Sequence, residues 1–292
     1  MKEIIRVQNL TFTYDAGQPP VLKDINLVIR AGEYLAVLGP NGCGKTTLMR
    51  HFNGLLQPSL GDVLVNNLST RMPKNLRAIR CHVGMVFQNT DNQIVGMSVE
   101  EDVAFGPGNL GLPPAEIRLR VDQALEQVGL SAFKTRPPHT LSGGQKQLLA
   151  LAGILAMDPQ VIVLDDPAAS LDSVGHQLVL RLLNTLKNQE IGIIHVTHNL
   201  DDLAVADRVL VMEQGALTAD SSPAEILTRV DWLKSLGLNP PKLVELIWQL
   251  NQKGENIHTN IFSVDDAAAE IYRLLHAARK QSQPTSAGDP WL

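Results

Sequence analysis

The chain has little cysteine, few aromatic residues and no long apolar run. Its 292 residues include two cysteines, and 4% of them are aromatic. Two cysteines do not form a disulfide framework, so we expect a reducing compartment. The longest apolar run, from Leu148 to Met157, is about half of the ~20 residues that a membrane-spanning helix needs. We therefore expect no transmembrane segment, and the polar start Met1–Ile4 indicates no signal peptide.

The chain also lacks an excess of positive charge. Its formal net charge is −5, whereas nucleic-acid-binding domains usually carry a basic stripe. The basic cluster Arg71, Lys74, Arg77 and Arg80 is more simply explained as a solvated helix face. We expect no nucleic-acid partner. The length suits one large globular domain with an appendage, or two ordinary domains.

Three continuous apolar stretches predict buried strands of a parallel sheet. They span residues 34–38, 161–164 and 191–197. Polar residues follow each stretch: a glycine-rich loop, then Asp165 and Asp166, then His198. Ligands bind outside the carboxyl ends of the strands in open α/β sheets. The sequence therefore predicts one nucleotide site built from three chain segments.

The remaining patterns divide the chain. Residues 3–38 are typical of strands, residues from about 90 to 157 are typical of helices, and the pattern changes near residue 220. We expect a domain over 1–220 with a helical subdomain at about 90–157, a helical appendage over 221–280 and a disordered tail over 281–292. The appendage helices are predicted from a stripe of apolar residues and from a capping box at Ser263–Asp266. The stripe residues are Leu243, Leu246, Ile247, Leu250, Ile271, Leu274 and Leu275.

A glycine-rich loop carries the clearest chemical signal. It fits the pattern G-x-x-x-x-G-K-[ST], and a strand before it and a helix after it argue against a chance glycine turn. Its backbone N–H groups and the helix N-terminus are suited to phosphate. Lys45 is expected to reach the β- and γ-phosphates, and the Thr46 hydroxyl to bind Mg²⁺. The predicted nucleotide-binding residues here are Gly39, Pro40, Asn41, Gly42, Cys43, Gly44, Lys45, Thr46 and Thr47.

Cys43 lies inside this loop. Lys45 and the helix terminus would favour its thiolate, although a small residue that merely fits is the simpler role. In either case, alkylation of Cys43 is predicted to block ATP binding, and ATP to protect the thiol.

Four polar residues at strand ends are candidates for the chemistry. Asp165 is placed to hold Mg²⁺ through water, and Asp166 follows where a general base would polarise the attacking water. Gln88 can contact both the metal and that water, and His198 can hydrogen-bond the γ-phosphate. Each alone could be an ordinary loop-end residue. Their order and spacing favour the functional interpretation.

A second motif, Ser142-Gly143-Gly144-Gln145, starts a helix. Two glycines and a serine at a helix N-terminus can receive an anion by the same physics as the first loop. Two phosphate receptors for one triphosphate pocket suggest that the second completes a pocket on another copy.

These motifs, in this order, resemble the ATP-binding cassette (ABC) family over residues 3 to about 220. The resemblance implies an α/β P-loop NTPase fold of ABC type, with a mixed sheet core, an antiparallel β subdomain and a helical signature subdomain, plus the helical appendage. It also implies a head-to-tail dimer that sandwiches two ATP molecules. By resemblance the motifs are Walker A (Gly39–Thr47), the Q-loop (Gln88), the signature (Leu141–Gln145), Walker B (Val161–Asp165), the D-loop (Ala169–Asp172), the switch histidine (His198) and an adenine-stacking aromatic (Tyr14). Tyr14 could instead be a tyrosine of the sheet core.

Two further segments, 87–95 and 98–107, resemble the ATPases of energy-coupling-factor (ECF) and cobalt/nickel importers, as does Ser235–Leu238. This implies import of a vitamin or a transition metal ion, at the cytoplasmic face of the membrane. The implied partners are a second ABC ATPase subunit, a transmembrane coupling protein and a substrate-binding membrane subunit. Ile94, Val95 and Met97 suit a groove for coupling helices, but core packing explains them equally well. The appendage is implied to hold two ATPase subunits together, although it could also pack only on itself.

Three positions depart from the family pattern. Asp166 stands where Glu is usual, Leu148 where Arg is common, and Asn199 where Asp is common. A misplacement of ~1 Å can cost about a hundredfold in rate. Either the backbone adjusts to the shorter Asp166, or the site is slow and the chain pairs with a more active paralogue. Another ABC importer or exporter ATPase, and a soluble mechanical ABC ATPase, are the alternatives.

Overall fold

A computed structural model of the chain describes residues 2–167, 171–258 and 264–281, with the side chains of 265–273 in the last stretch. Several sequence-based expectations lie outside the described residues. These are the D-loop residues Ala169 and Ser170, the capping residue Ser263, the side chains of Leu274 and Leu275, and the predicted tail beyond Gln281.

The described residues form ten strands and ten α-helices. The strands are β1 (Glu3–Phe12), β2 (Leu22–Arg30), β3 (Tyr34–Leu38), β4 (Leu60–Val65), β5 (Leu68–Ser69), β6 (Val83–Val86), β7 (Val161–Asp165), β8 (Gly192–Val196), β9 (Arg208–Glu213) and β10 (Ala216–Ser221). The helices are α1 (Lys45–Phe52), α2 (Leu76–His82), α3 (Val99–Leu110), α4 (Pro114–Gln127), α5 (Gly143–Leu155), α6 (Ser173–Asn188), α7 (Pro223–Leu227), α8 (Val230–Ser235), α9 (Lys242–Gln252) and α10 (Val264–Gln281).

The strands form two sheets. One is antiparallel, in the order β2-β1-β4-β5, and the other has the order β10-β9-β3-β8-β7-β6. In the larger sheet β9, β3, β8, β7 and β6 run parallel and β10 is antiparallel to β9. This confirms the predicted mixed sheet and the separate antiparallel sheet. Because β3, β8, β7 and β6 are neighbours, their carboxyl ends meet at one edge.

The larger sheet is covered on both faces. Leu35, Val163 and Ile194 face a core shared with the antiparallel sheet and α1. The alternate residues Tyr34 and Ile162 face a second core shared with helices α3 to α6. Two covered faces explain why these strands are apolar throughout instead of alternating.

Helices α3, α4 and α5 pack against one another. Both α3 and α5 begin with a capping box, in which a serine and a residue three positions later satisfy each other's backbone N–H groups. In α3 the pair is Ser98 and Glu101, and in α5 it is Ser142 and Gln145. The start of α5 is therefore fixed by its own capping box.

The chain divides into two compact units, Met1–Pro223 and Ala224–Leu292. The second unit has a small core of Ile247, Ile257 and Ala267, against which Leu243, Leu250 and Ile271 pack. Leu246 of the predicted stripe lies in α9 as expected, but its side chain is exposed. Within the described ranges, no helix is long and apolar enough to cross a bilayer.

Candidate functional site

A cleft opens at the shared carboxyl edge of β3, β8, β7 and β6. Its walls come from the glycine-rich loop and α1, and from the residues that follow the other three strands. The lining residues are Val21, Asn41, Gly42, Gly44, Lys45, Thr46, Thr47, Gln88, Asp165, Asp166, Val196 and His198. The structure thus brings together most of the residues that were predicted from separate motifs. Val21 and Val196 were missed, since nothing distinguishes them from other apolar residues.

The loop between β3 and α1 requires glycine at two positions. Gly39 has a φ of 146°, and a Cβ there would lie 2.2 Å from the Met212 carbonyl oxygen. Gly44 has a φ of 107°, and a Cβ there would lie 2.9 Å from Leu22. Side-chain-bearing residues rarely adopt such backbone angles. The close approach holds the loop against β9 and the antiparallel sheet and directs the start of α1 into the cleft.

Lys45 is the first residue of α1 and is largely buried. Its ammonium donates to the carbonyl oxygens of Gly39, at 2.6 Å, and Pro40, at 2.9 Å. Burial lowers the pKa of the Lys45 ammonium, while Asp165 and Asp166 act in the opposite direction. The side chain therefore lies folded along the loop that it is predicted to serve.

Cys43 lies beneath this loop rather than on its surface. The residue is 4% exposed, and its sulfur is 3.9 Å from the Lys45 ammonium. Burial raises the pKa of the Cys43 thiol and outweighs the opposing effect of Lys45. The expectation of a favoured thiolate was wrong, because desolvation disfavours the charged form. The simpler role, a small side chain that fits, agrees with this burial.

Two carboxylates follow β7. Asp165 ends the strand and is buried. Asp166 has a φ of 50°, and its N–H donates to the Val196 carbonyl at 3.0 Å. Aspartate tolerates this left-handed region better than most residues do. Burial raises the pKa of the Asp166 carboxyl, whose Oδ2 is 3.8 Å from Nε2 of His198. The arrangement places a carboxylate with raised proton affinity beside an imidazole.

Gln88 follows β6 in a loop that a single side chain closes. The amide of Gln93 donates to the Met85 carbonyl at 2.9 Å and accepts from the Phe87 N–H at 3.0 Å. We call this pair of bonds the Gln93 clip. Its donor and acceptor bond to the backbone as a neighbouring strand would. The clip thereby joins Phe87 to Gln93, the two ends of the segment that carries Gln88. Sequence reasoning missed it, since no motif marks a glutamine that bonds to backbone.

Tyr14 lies beyond β1 and is 51% exposed. Its ring meets Phe12 edge to face with centroids 4.9 Å apart, and its hydroxyl is 3.1 Å from the Thr47 hydroxyl. Such exposure contradicts the alternative of a sheet-core tyrosine. The hydrogen bond to Thr47 places Tyr14 beside the glycine-rich loop.

The second motif is not brought into the cleft. Ser142 caps α5, since its hydroxyl accepts from the Gln145 N–H, and the Gln145 amide accepts from the Ser142 N–H. The first N–H groups of a helix have no carbonyl partner within it. Those of Gly143 and Gly144 therefore remain suited to an anion. Neither glycine lines the cleft that holds Lys45.

Oxygen donors in the cleft fit Mg²⁺. The described residues hold no cluster of three or more His, Cys, Asp or Glu side chains placed to bind a metal. Asp165, Thr46 and Gln88 nevertheless line one cleft. Mg²⁺ is usually bound through one or two carboxylates together with substrate phosphates, not by an all-protein cage. This donor set suits such a site.

Comparison with known proteins identifies the family. The model of the family described as ABC transporter matches residues 22–169. The chain is 48% identical over 268 residues to the cobalt import ATP-binding protein CbiO of Syntrophus aciditrophicus, with 92% of this chain and 96% of the relative covered. This chain belongs to the ABC transporter family.

Further relatives place this ABC ATPase beside the ECF branch. It is 48% identical over 277 residues to the ECF transporter ATP-binding protein EcfA1 of Caldanaerobacter subterraneus, covering 94% of this chain and all of the relative. The solved structure of CbiO1 from Clostridium perfringens matches with a TM-score of 0.74 and 38% identity, over 85% of this chain and all of that one. The dimeric ABC cassette MJ0796 matches with a TM-score of 0.69 and 30% identity, over 75% of this chain and 99% of that one.

Two departures of this ABC ATPase from the family pattern lie outside the cleft. Leu148 is partly buried and packs against the core beneath α5. Asn199 caps the short turn Leu200–Val205, with its side chain accepting from the Asp201 N–H. Both residues have local partners, so neither change removes a group from the cleft.

The ABC ATPase binds and hydrolyses ATP, and that hydrolysis is coupled to transport.

Proposed function

We propose that this ABC ATPase energises the import of a micronutrient, a vitamin or a transition metal ion, through an ECF-type membrane transporter. The observation that carries the proposal is the 48% identity to a cobalt import protein and to an ECF protein, each over at least 92% of this chain. That similarity extends beyond the family match, which ends at residue 169.

The cleft supports a specific assignment of roles. The amides of residues 39–47 and the Lys45 ammonium bind the phosphates of the substrate ATP. Asp166 accepts the proton of the attacking water, whose oxygen bonds to the γ-phosphorus as the bond to ADP breaks. His198 and Gln88 contact the γ-phosphate and the water, and Tyr14 stacks on adenine. Mg²⁺, held by Thr46, Asp165 and Gln88, would offset the negative charge that develops on the phosphate oxygens.

The two receptors support a head-to-tail dimer. Ser142, Gly143, Gly144 and Gln145 lie outside the cleft that holds Lys45, so they bind the γ-phosphate held by a second subunit. A solved structure of the related cassette MJ0796 is a dimer bound to ADP and Pi. In this proposal residues 1–220 form the ATP-binding domain, and the appendage over 221–280 helps to hold the two subunits together.

A groove near the Gln93 clip suits a membrane partner. It is lined mainly by apolar residues of α3, α5 and the segment before α3, and includes Ile94, Val95, Phe105, Ile154 and Met157. Ile94 packs against the core, which supports the core alternative for that residue. Val95 and Met97, in contrast, are 59% and 86% exposed. We assign the groove to a helix of the transmembrane coupling protein, with this chain as a peripheral subunit at the cytoplasmic face.

Removal of one ammonium tests the nucleotide site. Lys45→Ala is expected to abolish ATP turnover and to weaken ATP binding severely, because Lys45 supplies the charge at the phosphates. The measurements are phosphate release and titration with a fluorescent ATP analogue. The matched control is Lys74→Ala, at an exposed position away from the cleft. Unchanged turnover in Lys45→Ala would refute the site assignment.

Gentle extraction of native membranes tests the transport role. The tagged chain is expected to co-purify with a multi-spanning coupling protein and a substrate-binding membrane subunit. Uptake of radiolabelled cobalt, nickel and vitamins by vesicles that contain this complex would then identify the solute. Recovery of the chain with an exporter, or with no membrane protein, would reject the importer proposal while leaving the ATPase assignment intact.

A further inference from the structure

A buried carboxylate lies directly behind the switch histidine. Asp202 is 2% exposed and does not line the cleft. Three side chains donate to it: the Thr197 hydroxyl at 2.7 Å, the Asn199 amide at 3.1 Å, and Nε2 of His176 at 2.7 Å. A buried carboxylate is tolerated when its oxygens are satisfied in this way.

Two of the donors flank His198. Thr197 and Asn199 precede and follow it in the chain, so one carboxylate holds both neighbours of the histidine. The Thr197 hydroxyl also accepts from the Asn199 N–H at 3.0 Å, which closes a small ring around position 198. The imidazole of His198 itself remains 39% exposed and faces Asp166. Its backbone is therefore fixed from behind while its ring stays available in the cleft.

The third donor comes from a different element. His176 lies in the first turn of α6, whose N-terminal cap is Asp172. The Asp172 carboxylate accepts from the Gly175 N–H at 2.8 Å. Asp202 thus joins the loop of His198 to the helix that begins directly after Leu171 and Asp172, the described part of the predicted D-loop. One carboxylate therefore anchors both the segment that carries His198 and the helix that follows the predicted D-loop.

We propose that Asp202 is a positioning residue for ATP hydrolysis: through Thr197 and Asn199 it fixes His198, and through His176 it ties this loop to the first turn of α6. The inference rests on the proposed role of His198 at the γ-phosphate. None of the three donors belongs to the phosphate-binding loop. Loss of the anchor should therefore lower turnover and leave ATP affinity nearly unchanged.

The test uses a nearly isosteric pair at Thr197 in the purified full-length protein. Thr197→Val removes the hydroxyl that donates to Asp202 and is expected to lower turnover about tenfold, because small misplacements of catalytic groups are costly. Thr197→Ser restores the hydroxyl and should recover most of this loss. ATP affinity, measured with a fluorescent analogue, should change less than about twofold, since binding and chemistry use different contacts. Thr185→Val is the matched control, because its hydroxyl donates only to the Arg181 carbonyl within α6.

A double variant separates positioning from simple support of the fold. If Asp202 acts through His198, Thr197→Val adds no further loss in a His198→Ala background, as followed by slow release of radiolabelled phosphate. Multiplied losses, or wild-type turnover in Thr197→Val, would overturn the proposal. If Thr197→Val fails to fold, as judged by thermal melting, His176→Leu and His176→Gln replace the pair, since Gln keeps a donor near the position of Nε2. Turnover that does not depend on Lys45 would instead defeat the proposed function itself.

Discussion

At the residue scale, Asp166 combines a left-handed backbone with a side chain one methylene shorter than the glutamate that is usual in the family. The residue has a φ of 50° and is held there by its N–H bond to Val196. Aspartate is among the side chains most often found in this conformation, and glutamate is less suited to it. Its side chain, however, is one methylene shorter than that of glutamate, which shortens its reach into the cleft. The backbone conformation therefore favours aspartate at this position, whereas reach into the cleft favours glutamate.

Asp166→Glu should separate these two effects. We expect turnover to rise, because the added methylene extends the carboxylate into the cleft, and the free energy of unfolding to fall by about 1 kcal/mol because of the left-handed backbone. Phosphate release and urea denaturation measure the two quantities independently. Asp166→Asn, which cannot accept the proton, is the control and should bind ATP without turning it over. A fall in turnover in Asp166→Glu would show that the cleft is built around aspartate.

The sequence predicted the residues of the cleft well where a motif names them, as for Lys45 and Asp165. It failed for the thiolate of Cys43, because the burial that raises the pKa of this thiol could not be inferred from a position in a loop. It also missed the Gln93 clip and Asp202. Gln93 bonds to backbone groups, which no sequence motif marks. Asp202 bonds to His176, which lies 26 positions away in the chain, and only the folded chain shows that the two are close.

At the scale of one element, β8 contains an unusual strand residue. The sequence predicted a continuous apolar strand, yet His195 points into the core beneath it, 1% exposed. Its Nδ1 is 2.9 Å from the hydroxyl of Tyr34, a buried residue of β3. Burial lowers the pKa of His195 to about 4, with Asp202 opposing the shift. The imidazole is therefore neutral inside the sheet at neutral pH.

This depressed pKa makes stability depend on pH in a defined window. The unfolded chain takes up the proton near pH 6.5 and the folded chain only near 4, so the contribution is present above pH 6.5 and is lost as pH falls toward 4. We expect His195 to contribute a loss of about 3 kcal/mol in the free energy of unfolding across that window.

Urea denaturation at several pH values checks the contribution of His195. His195→Asn should be less stable at pH 7 but should lose less stability on acidification than the wild-type chain. His139→Asn, at an exposed position, serves as the control. Equal pH dependence in the wild type and His195→Asn would contradict a neutral buried imidazole.

The elements that the sequence predicted best are those with continuous apolar runs, such as β3 and β7. A continuous apolar run indicates a strand that is buried on both faces of the sheet. The stripe in α9 was less informative, because helical spacing shows which residues share a face but not which of them is covered. Leu246 shares that face and is nonetheless exposed.

At the scale of the whole molecule, the proposed dimer has two composite sites. Each combines Lys45 of one subunit with Gly143 and Gly144 of the other. Gly143→Asp should fold, because a Cβ there would meet no atom within 4 Å. Its carboxylate would nevertheless repel the γ-phosphate. Mixing Gly143→Asp with Lys45→Ala can then distinguish a homodimer from a dimer with a paralogue by the turnover that is recovered.

Lys45→Ala and Gly143→Asp should each be inactive alone but recover activity when mixed. In a mixed dimer one site carries both defects and the other carries neither. Random pairing of equal amounts should thus restore about a quarter of wild-type turnover if the two sites act independently. Phosphate release after co-refolding or co-expression measures this recovery, and Lys45→Ala mixed with itself is the control. No recovery, with both variants folded, would favour a paralogous partner.

The sequence could predict the class of fold because the motifs occur in family order. In the appendage, Leu243, Ile247, Leu250 and Ile271 of the predicted stripe do pack together, whereas Ile257 and Ala267 of the same small core were not predicted. The fold class rested on several signals that agree. The appendage rested on helical periodicity, a predicted capping box and the resemblance of Ser235–Leu238.

The Gln93 clip has a mechanical consequence. Because one side chain joins the two ends of this loop, we expect the loop to move as one rigid unit. Ile94, the next residue, belongs to the groove that we assign to a membrane partner. We therefore expect a displacement of Ile94 to move Gln88 as well. Replacement of the Gln93 amide would remove both bonds of the clip, and the loop that carries Gln88 would then be free to deform.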